Sequence, residues 1–250
     1  MKKSLIVLFA ALFCLSCATR DTAVSPDLPQ SIKPGVHTAD WAVKWWLPRH
    51  KQKLLEKSKM EKVDLVFLGD SITHAWEYEN VGLSVWQDRF EPLNALNLGF
   101  SGDRTEHVLW RLENGAVDNI SPKALVLMIG TNNTGHRQDK PDDTALGIKT
   151  IIDFLRLKLP NTQILLLGIF PRGATADDPL RMINDEINKL ISTFDDGEQV
   201  HYLNINHVFL DEQKQLSTTV MGDLLHPNKE QYLIWADAIE PKVKDLLSKE

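Results

Sequence analysis

From residue 63 onward the chain alternates short, almost unbroken apolar runs with longer stretches whose apolar residues recur at helical spacing. The runs are Val63 to Leu68, Ala95 to Leu98, Ala124 to Ile129, Ile164 to Ile169 and Val200 to Ile205. Each has the length of a strand, and apolar residues at successive positions mean that both faces are buried. Between them, Thr105 to Arg111, Thr144 to Leu159 and Leu180 to Phe194 carry helical spacing, and a last helix from about Lys229 presents Leu233, Ala236 and Ile239. Strands alternating with helices predict an α/β fold in which a five-stranded parallel sheet is covered on both faces, a three-layer α/β/α sandwich. Ligands of such sheets bind beyond the carboxyl ends of the strands, so chemistry is expected in the loops that follow the apolar runs.

Before residue 63 the pattern is different. Lys2 and Lys3 precede the apolar run Leu5 to Leu12, which is too short to span a bilayer and reads as the core of an export signal. Leu15-Ser16-Cys17 puts a cysteine behind a small residue and resembles a bacterial lipoprotein signal, although Cys14 stands where an aliphatic residue is usual. The expectation is a signal peptide over residues 1–16 and lipidation of Cys17, which anchors the protein to a membrane of the bacterial envelope. Cleavage elsewhere gives a periplasmic or secreted protein instead. Cys14 and Cys17 are the only cysteines, so no disulfide framework is available after cleavage. Residues 17–40, rich in Thr, Ser, Pro and Asp without apolar periodicity, read as the lipidation site and a flexible tether, and residues 41–250 as one domain. Trp41, Trp45 and Trp46, followed by Pro48 and a Lys-rich stretch to Lys62, predict a helical segment that packs its aromatics on the body; binding of sugar rings is the alternative.

Composition adds little to this picture except by exclusion. With 250 residues, 43% hydrophobic and 25% charged, the chain suffices for one substantial core. The net charge is −6, becoming −8 when Lys2 and Lys3 leave with the signal, and no Lys/Arg stripe is present. Nucleic acid is therefore excluded as the main ligand.

The first apolar run leads directly into Gly69-Asp70-Ser71, which places a serine where the chain leaves a central strand and turns helical. A helix start directs N–H groups toward negative charge developing on a carbonyl oxygen, which suits a nucleophile, but serine is also a common N-cap and the tripeptide alone favours that role. A base for Ser71 is available in Asp223-Leu224-Leu225-His226-Pro227, where two intervening residues let the aspartate hold one imidazole nitrogen and leave the other for the serine proton. A turn aspartate followed by a helix with Pro227 in its first turn explains the same residues without chemistry. Asn132, after the third run, offers an amide to an oxyanion, and Gly102, after the second, allows close backbone approach. Asp103 with Glu106 reads as an N-cap box of the following helix. His74, His107, His136, His201 and His207 lack ligand spacing, so no metal is expected, and Phe170-Pro171-Arg172-Gly173 is either a pocket wall or a rigid turn.

Taken in order, Gly69-Asp70-Ser71, Gly102, Gly130-Thr131-Asn132 and Asp223-Leu224-Leu225-His226 resemble the four blocks of the SGNH (GDSL) hydrolases. Ala95 to Gly99, His107 to Arg111, Gly130 to Asn133 and Pro171 to Gly173 are similar to the branch containing the catalytic subunits of intracellular platelet-activating-factor acetylhydrolase, over roughly residues 60–248. The resemblance implies a flavodoxin-like fold, no metal or cofactor, and cleavage of short acyl esters through an acyl-serine. It also implies the roles: Ser71 as nucleophile, His226 as base and then acid, Asp223 as its orienting carboxylate, and the Ser71 and Gly102 N–H groups with the Asn132 amide as the oxyanion hole. Pairing into a homodimer, near Trp110, is a further implication.

An exported protein of this kind is expected to remove acetyl groups from carbohydrate. The alternatives are a lipase-like esterase acting on short-chain or lysophospholipid esters, and a surface glycan-binding protein that has lost the reaction.

Overall fold

The computed structural model describes residues 28–249; the signal peptide read in residues 1–16 and the lipidation site Cys17 lie outside the described residues. The sheet has five strands, β1 (Leu65–Gly69), β2 (Ala95–Gly99), β3 (Ala124–Met128), β4 (Gln163–Leu167) and β5 (Val200–Leu203), in the order β2-β1-β3-β4-β5. All neighbouring pairs are parallel. Nine α-helices are found among the described residues: α1 (Asp40–Val43), α2 (Trp46–Lys59), α3 (Ser71–His74), α4 (Leu83–Arg89), α5 (Thr105–Glu113), α6 (Thr131–Arg137), α7 (Pro141–Lys158), α8 (Pro179–Ser192) and α9 (Lys229–Ser248).

The unbroken apolar runs are explained by two cores, one on each face. Val66, Leu68, Leu125, Leu127, Ile164 and Leu166 pack against the apolar stripes of α5, α7 and α8. The alternate residues Leu65, Phe67, Val126, Leu165 and Leu167 pack against α9 and the Trp76–Trp86 cluster on the other face. Strand residues alternate faces, so a strand with apolar partners above and below cannot afford a polar position on either.

Several boundaries differ from the sequence pattern, for local reasons. The fourth run extends to Ile169, but the strand stops at Leu167 because Ile169 is held by a side chain: its N–H donates to Asn188 Oδ1 (2.7 Å) and its carbonyl accepts from Asn188 Nδ2 (2.8 Å). Helix α7 begins at Pro141, ahead of Thr144, because proline suits the first helical turn. Helix α8 begins at Pro179 after Asp178, whose side chain accepts from the Leu180 and Arg181 N–H groups.

The tether reading does not hold for the described part of residues 17–40. Ser31 and His37 are buried, the Ser31 hydroxyl donates to the Asp143 carbonyl (2.5 Å), and Gly35 N–H donates to the Glu106 carbonyl (3.2 Å). His37 stacks on His107 with ring centroids 4.4 Å apart. This arm is held by backbone hydrogen bonds and ring stacking rather than by an apolar stripe, which is why hydrophobic periodicity does not register it. Of the three clustered tryptophans only Trp46 is fully buried, against Phe100, while Trp41 is exposed. Trp110 meets Trp46 at a tilt and His50 edge-on, each with ring centroids 5.3 Å apart. Among the described residues no helix is long and apolar enough to cross a membrane.

Candidate active site

Strand order reverses direction around β1: the chain steps from β1 to β2 on one side and then to β3 on the other. The loops after β1, β2 and β3 consequently diverge and leave a crevice at the carboxyl edge. Ser71, Gly102 and Asn132 each stand just beyond one of these three strand ends.

At β1 the turn is tight. A Cβ on Gly69 would lie 2.2 Å from Thr73 Oγ1 and 2.4 Å from the Met128 carbonyl, so only glycine permits the strand to enter α3 here. Asp70, not Ser71, is the N-cap: its carboxylate accepts from the Ile72 N–H (3.0 Å), and Ser71 is the first helical residue. The N-cap role that competes with nucleophilicity for Ser71 thus falls to its neighbour. Burial raises the Asp70 carboxyl to about 7, against the pull of the Ile72 hydrogen bond. Tyr232 of α9 donates its hydroxyl to the Ile72 carbonyl (2.6 Å), locking α3 from behind.

The loop before α9 brings the other pair. His226 Nε2 lies 2.9 Å from Ser71 Oγ across 155 residues of sequence, and His226 Nδ1 lies 2.6 Å from Asp223 Oδ2. A carboxylate only accepts, so Nδ1 carries the proton and Nε2 faces the serine hydroxyl as an acceptor. The loop is shaped by Asp223 itself, whose Oδ1 accepts from the Leu225 (3.1 Å) and His226 (2.8 Å) N–H groups. Burial acts to raise the Asp223 carboxyl, but the hydrogen bonds from His226 outweigh it and hold it below the usual carboxylate range. Leu224 adopts a left-handed conformation (φ 57°), and its carbonyl accepts from Gly173 N–H (3.0 Å). The Pro171-Arg172-Gly173 segment therefore braces the Asp223 loop, and Arg172 Nη1 donates to the Thr131 carbonyl (2.9 Å) at the start of α6.

The second and third loops close the opposite side. Gly102 takes a φ of +78°, and a Cβ there would meet Trp41 Cη2 at 2.1 Å. Asn132 Nδ2 donates to the Asp103 carbonyl (3.0 Å), which ties the two loops together. Asp103 is not the N-cap of α5; that position is Arg104, whose N–H donates to His107 Nδ1 (3.1 Å). Asp103 is instead fully buried, accepting from Trp46 Nε1 (2.6 Å) and Arg111 Nε (2.8 Å). Glu106 pairs with Arg104 and Arg137. Helix α5 buries one cation, Arg111, beside the apolar residues Val108, Leu109 and Leu112, and a charge within such a stripe is the signal of a buried anion nearby.

Ser71, Gly102, Asn132 and His226 line one cavity of ≈ 450 Å³. Ala75, Val81 and Tyr232 form apolar parts of its wall. Tyr232 and its apolar neighbours were not legible as site residues, because they belong to α9 and to the segment after α3 and meet only in the fold. His74 is turned to Ser101 Oγ (3.0 Å) and is held neutral, at about 3, by burial and Arg49. Among the described residues no group of three or more His, Cys, Asp or Glu side chains is placed to hold a metal ion.

A hydroxyl, an imidazole and a carboxylate in one hydrogen-bonded line, opening on a cavity that Gly102 and Asn132 also line, can transfer an acyl group through the serine. The GDSL-like lipase/acylhydrolase family model matches residues 67–234. The chain is 33% identical over 206 residues to the human platelet-activating factor acetylhydrolase IB subunit alpha1, covering 82% of this chain and 85% of that protein. It is 36% identical over 183 residues to the rat subunit alpha2, covering 72% and 76%. Among solved structures, a GDSL-like lipase from Bacteroides thetaiotaomicron superposes with a TM-score of 0.61 at 22% identity, over 78% of this chain and 97% of that one. An acetylxylan esterase from Geobacillus stearothermophilus gives 0.57 at 18%, over 77% and 97%. The five-stranded parallel sheet with helices on both faces is the fold of these structures. The chain belongs to the GDSL-like lipase/acylhydrolase family and is a carboxylic-ester hydrolase.

Proposed function

We propose that this hydrolase removes short acyl groups, acetyl foremost, from carbohydrate, with Ser71 as nucleophile, His226 as base and acid, and Asp223 as the orienting carboxylate. The observation that carries the reading is the line from Asp223 through His226 to Ser71 Oγ at the cavity wall. Ser71 Oγ attacks the ester carbonyl carbon as its proton passes to His226 Nε2. The carbonyl oxygen becomes an oxyanion, held by the Ser71 and Gly102 N–H groups and the Asn132 amide. The C–O bond to the alcohol then breaks, the alcohol takes the proton from Nε2, and the acyl group stays on Ser71. Water attacks the acyl-serine, gives a proton to Nε2, and the carboxylic acid leaves as Ser71 regains its proton.

An acetyl group fits the apolar wall of Ala75 and Val81, and the relatives at 33% and 36% identity carry acetylhydrolase in their names. Carbohydrate as the alcohol follows from the export signal and Cys17 lipidation read in the sequence, which belong to the same proposal and put the enzyme in a bacterial envelope. A second reading, short-chain lipid esters, is favoured by the mammalian relatives' substrate, platelet-activating factor. Hydrolysis of p-nitrophenyl acetate, butyrate and octanoate, with Ser71→Ala as control, separates these. Acetate preference abolished by the substitution supports the proposal, octanoate preference supports the lipid reading, and activity retained by Ser71→Ala overturns the assignment of the nucleophile.

A further inference from the structure

Seven tryptophans are present in the chain, and Trp46, Trp76, Trp86 and Trp235 are buried as expected of so large an apolar ring. Trp41 is 53% exposed, yet it is anchored. His37 meets it edge-on at 4.7 Å, Trp45 lies at 6.2 Å, His136 at 6.5 Å, and the Cη2 edge rests on Gly102. The ring lines the cavity that contains Ser71 and His226. An immobilised aromatic face left open beside a nucleophile loses little entropy when a ligand covers it.

The cavity is graded. One side is formed by groups with almost no exposure, Ala75 at 7% and Tyr232 at 1%, while Trp41 and Tyr78, at 43%, stand at its open rim. The small acyl group belongs at the closed side, so the alcohol that leaves must occupy the rim. The rim combines the Trp41 ring with polar groups, Ser101 Oγ, the Tyr78 hydroxyl and the His136 ring. An apolar plane bordered by hydrogen-bonding groups matches a pyranose, whose C–H bonds face one side and whose hydroxyls project around its edge; an alkyl chain has no use for the polar border.

We propose that Trp41 is the platform on which the sugar ring of the leaving alcohol stacks, so that α1, next to the N-terminal arm, takes part with the polar rim in selecting the alcohol. This deepens the carbohydrate reading above and rests on it. The test compares acetylated xylotriose with ethyl acetate, whose alcohol is too small to reach the rim, in the full-length protein and in Trp41→Ala and Trp41→Phe. Loss of the platform raises KM for acetylated xylotriose about tenfold with a much smaller change in kcat, so the ratio of kcat/KM between the two esters falls about tenfold, and Trp41→Phe restores most of it. Unacetylated xylotriose inhibits ethyl acetate hydrolysis by the wild type and loses about the same factor against Trp41→Ala. An equal fall in kcat on both esters means that Trp41 only supports the Gly102 loop and overturns the inference. A wild type active on acetylated xylotriose, with KM unmoved by Trp41→Ala, overturns the inference and leaves the carbohydrate reading standing. A wild type that cleaves ethyl acetate, ignores acetylated xylotriose and is not inhibited by xylotriose overturns both.

Discussion

Arg111 Nη2 lies 2.8 Å from Asp103 Oδ2, and neither side chain has any exposure to solvent. The same guanidinium sits 4.0 Å from the Phe100 ring centroid and donates to the Leu98 carbonyl (3.1 Å), so one buried cation holds the end of β2 and both ends of the Gly102 turn. Arg49 adds two bonds to the Gly99 carbonyl, at 3.1 and 2.9 Å. The loop assigned to oxyanion binding is thereby built on buried ionic contacts rather than on apolar packing.

Removing the cation strands a buried carboxylate. Arg111→Met is expected to cost about 3–5 kcal/mol of stability, and Asp103→Asn combined with Arg111→Met less than the sum of the two single changes. Urea unfolding of the three variants measures this; a cost below about 1 kcal/mol for Arg111→Met would show that the pair is not holding the loop.

Ser71 and His226 act as one unit in the proposed mechanism. Ser71→Ala and His226→Ala are each expected to lower kcat by roughly 10⁴-fold or more, and the double variant to fall no further than the worse single one. Thermal unfolding of Ser71→Ala should stay close to wild type, since the exchanged hydroxyl is not part of the N-cap, which Asp70 supplies. Multiplicative losses in the double variant would argue against a shared proton-transfer step.

Asn132→Ala is expected to reduce kcat by about 10²–10³-fold with little change in KM, because in the proposed mechanism its amide meets the oxygen only when charge develops there. Gly102→Ala acts differently: the added methyl requires a left-handed backbone and collides with Trp41, so both kcat and stability should fall. Steady-state kinetics beside thermal unfolding distinguishes the two. A change confined to KM in Asn132→Ala would remove it from the oxyanion hole.

Three histidines whose protonation the fold opposes, His37, His74 and His107, predict an acid-sensitive fold. Burial, reinforced by nearby arginines, lowers His107 to about 2, His74 to about 3 and His37 to about 4. Below the ordinary histidine pKa the unfolded chain takes up these protons and the folded chain does not, so their contribution to stability is lost progressively as pH falls from about 6.5 toward 4. Asp70, raised to about 7, works in the opposite direction over an overlapping range. Replacing His107 by Asn should flatten the decline below pH 6.5 by about one proton, roughly 1.4 kcal/mol per pH unit. Urea midpoints at pH 7, 6, 5 and 4 give the slope, and an unchanged slope would mean that His107 is protonated in the fold.

The layers of this protein were legible in the sequence because they rest on a local rule. A strand buried on both faces must be apolar at every position, and the five runs from Val63 onward satisfy it, so the α/β/α sandwich follows from neighbours in the chain. Ser71, Gly102, Asn132, Asp223 and His226 were legible for a related reason: the first three follow the ends of apolar runs and the last two precede the final helix, and a parallel sheet carries such loops to one edge. What depended on the tertiary structure is the set of contacts with no local period. The arm around Ser31 and His37 is held by hydrogen bonds and ring stacking, Asp103 exchanges an expected cap role for Arg111 and Trp46, and Leu224 turns left-handed to aim His226. Trp41 shows the division most directly. Its sequence neighbours suggested a buried aromatic cluster, but whether a ring is covered depends on how much surface the rest of the fold brings to it. Here the fold covers the Gly102 edge and leaves the other side of the ring open at the mouth of the cavity.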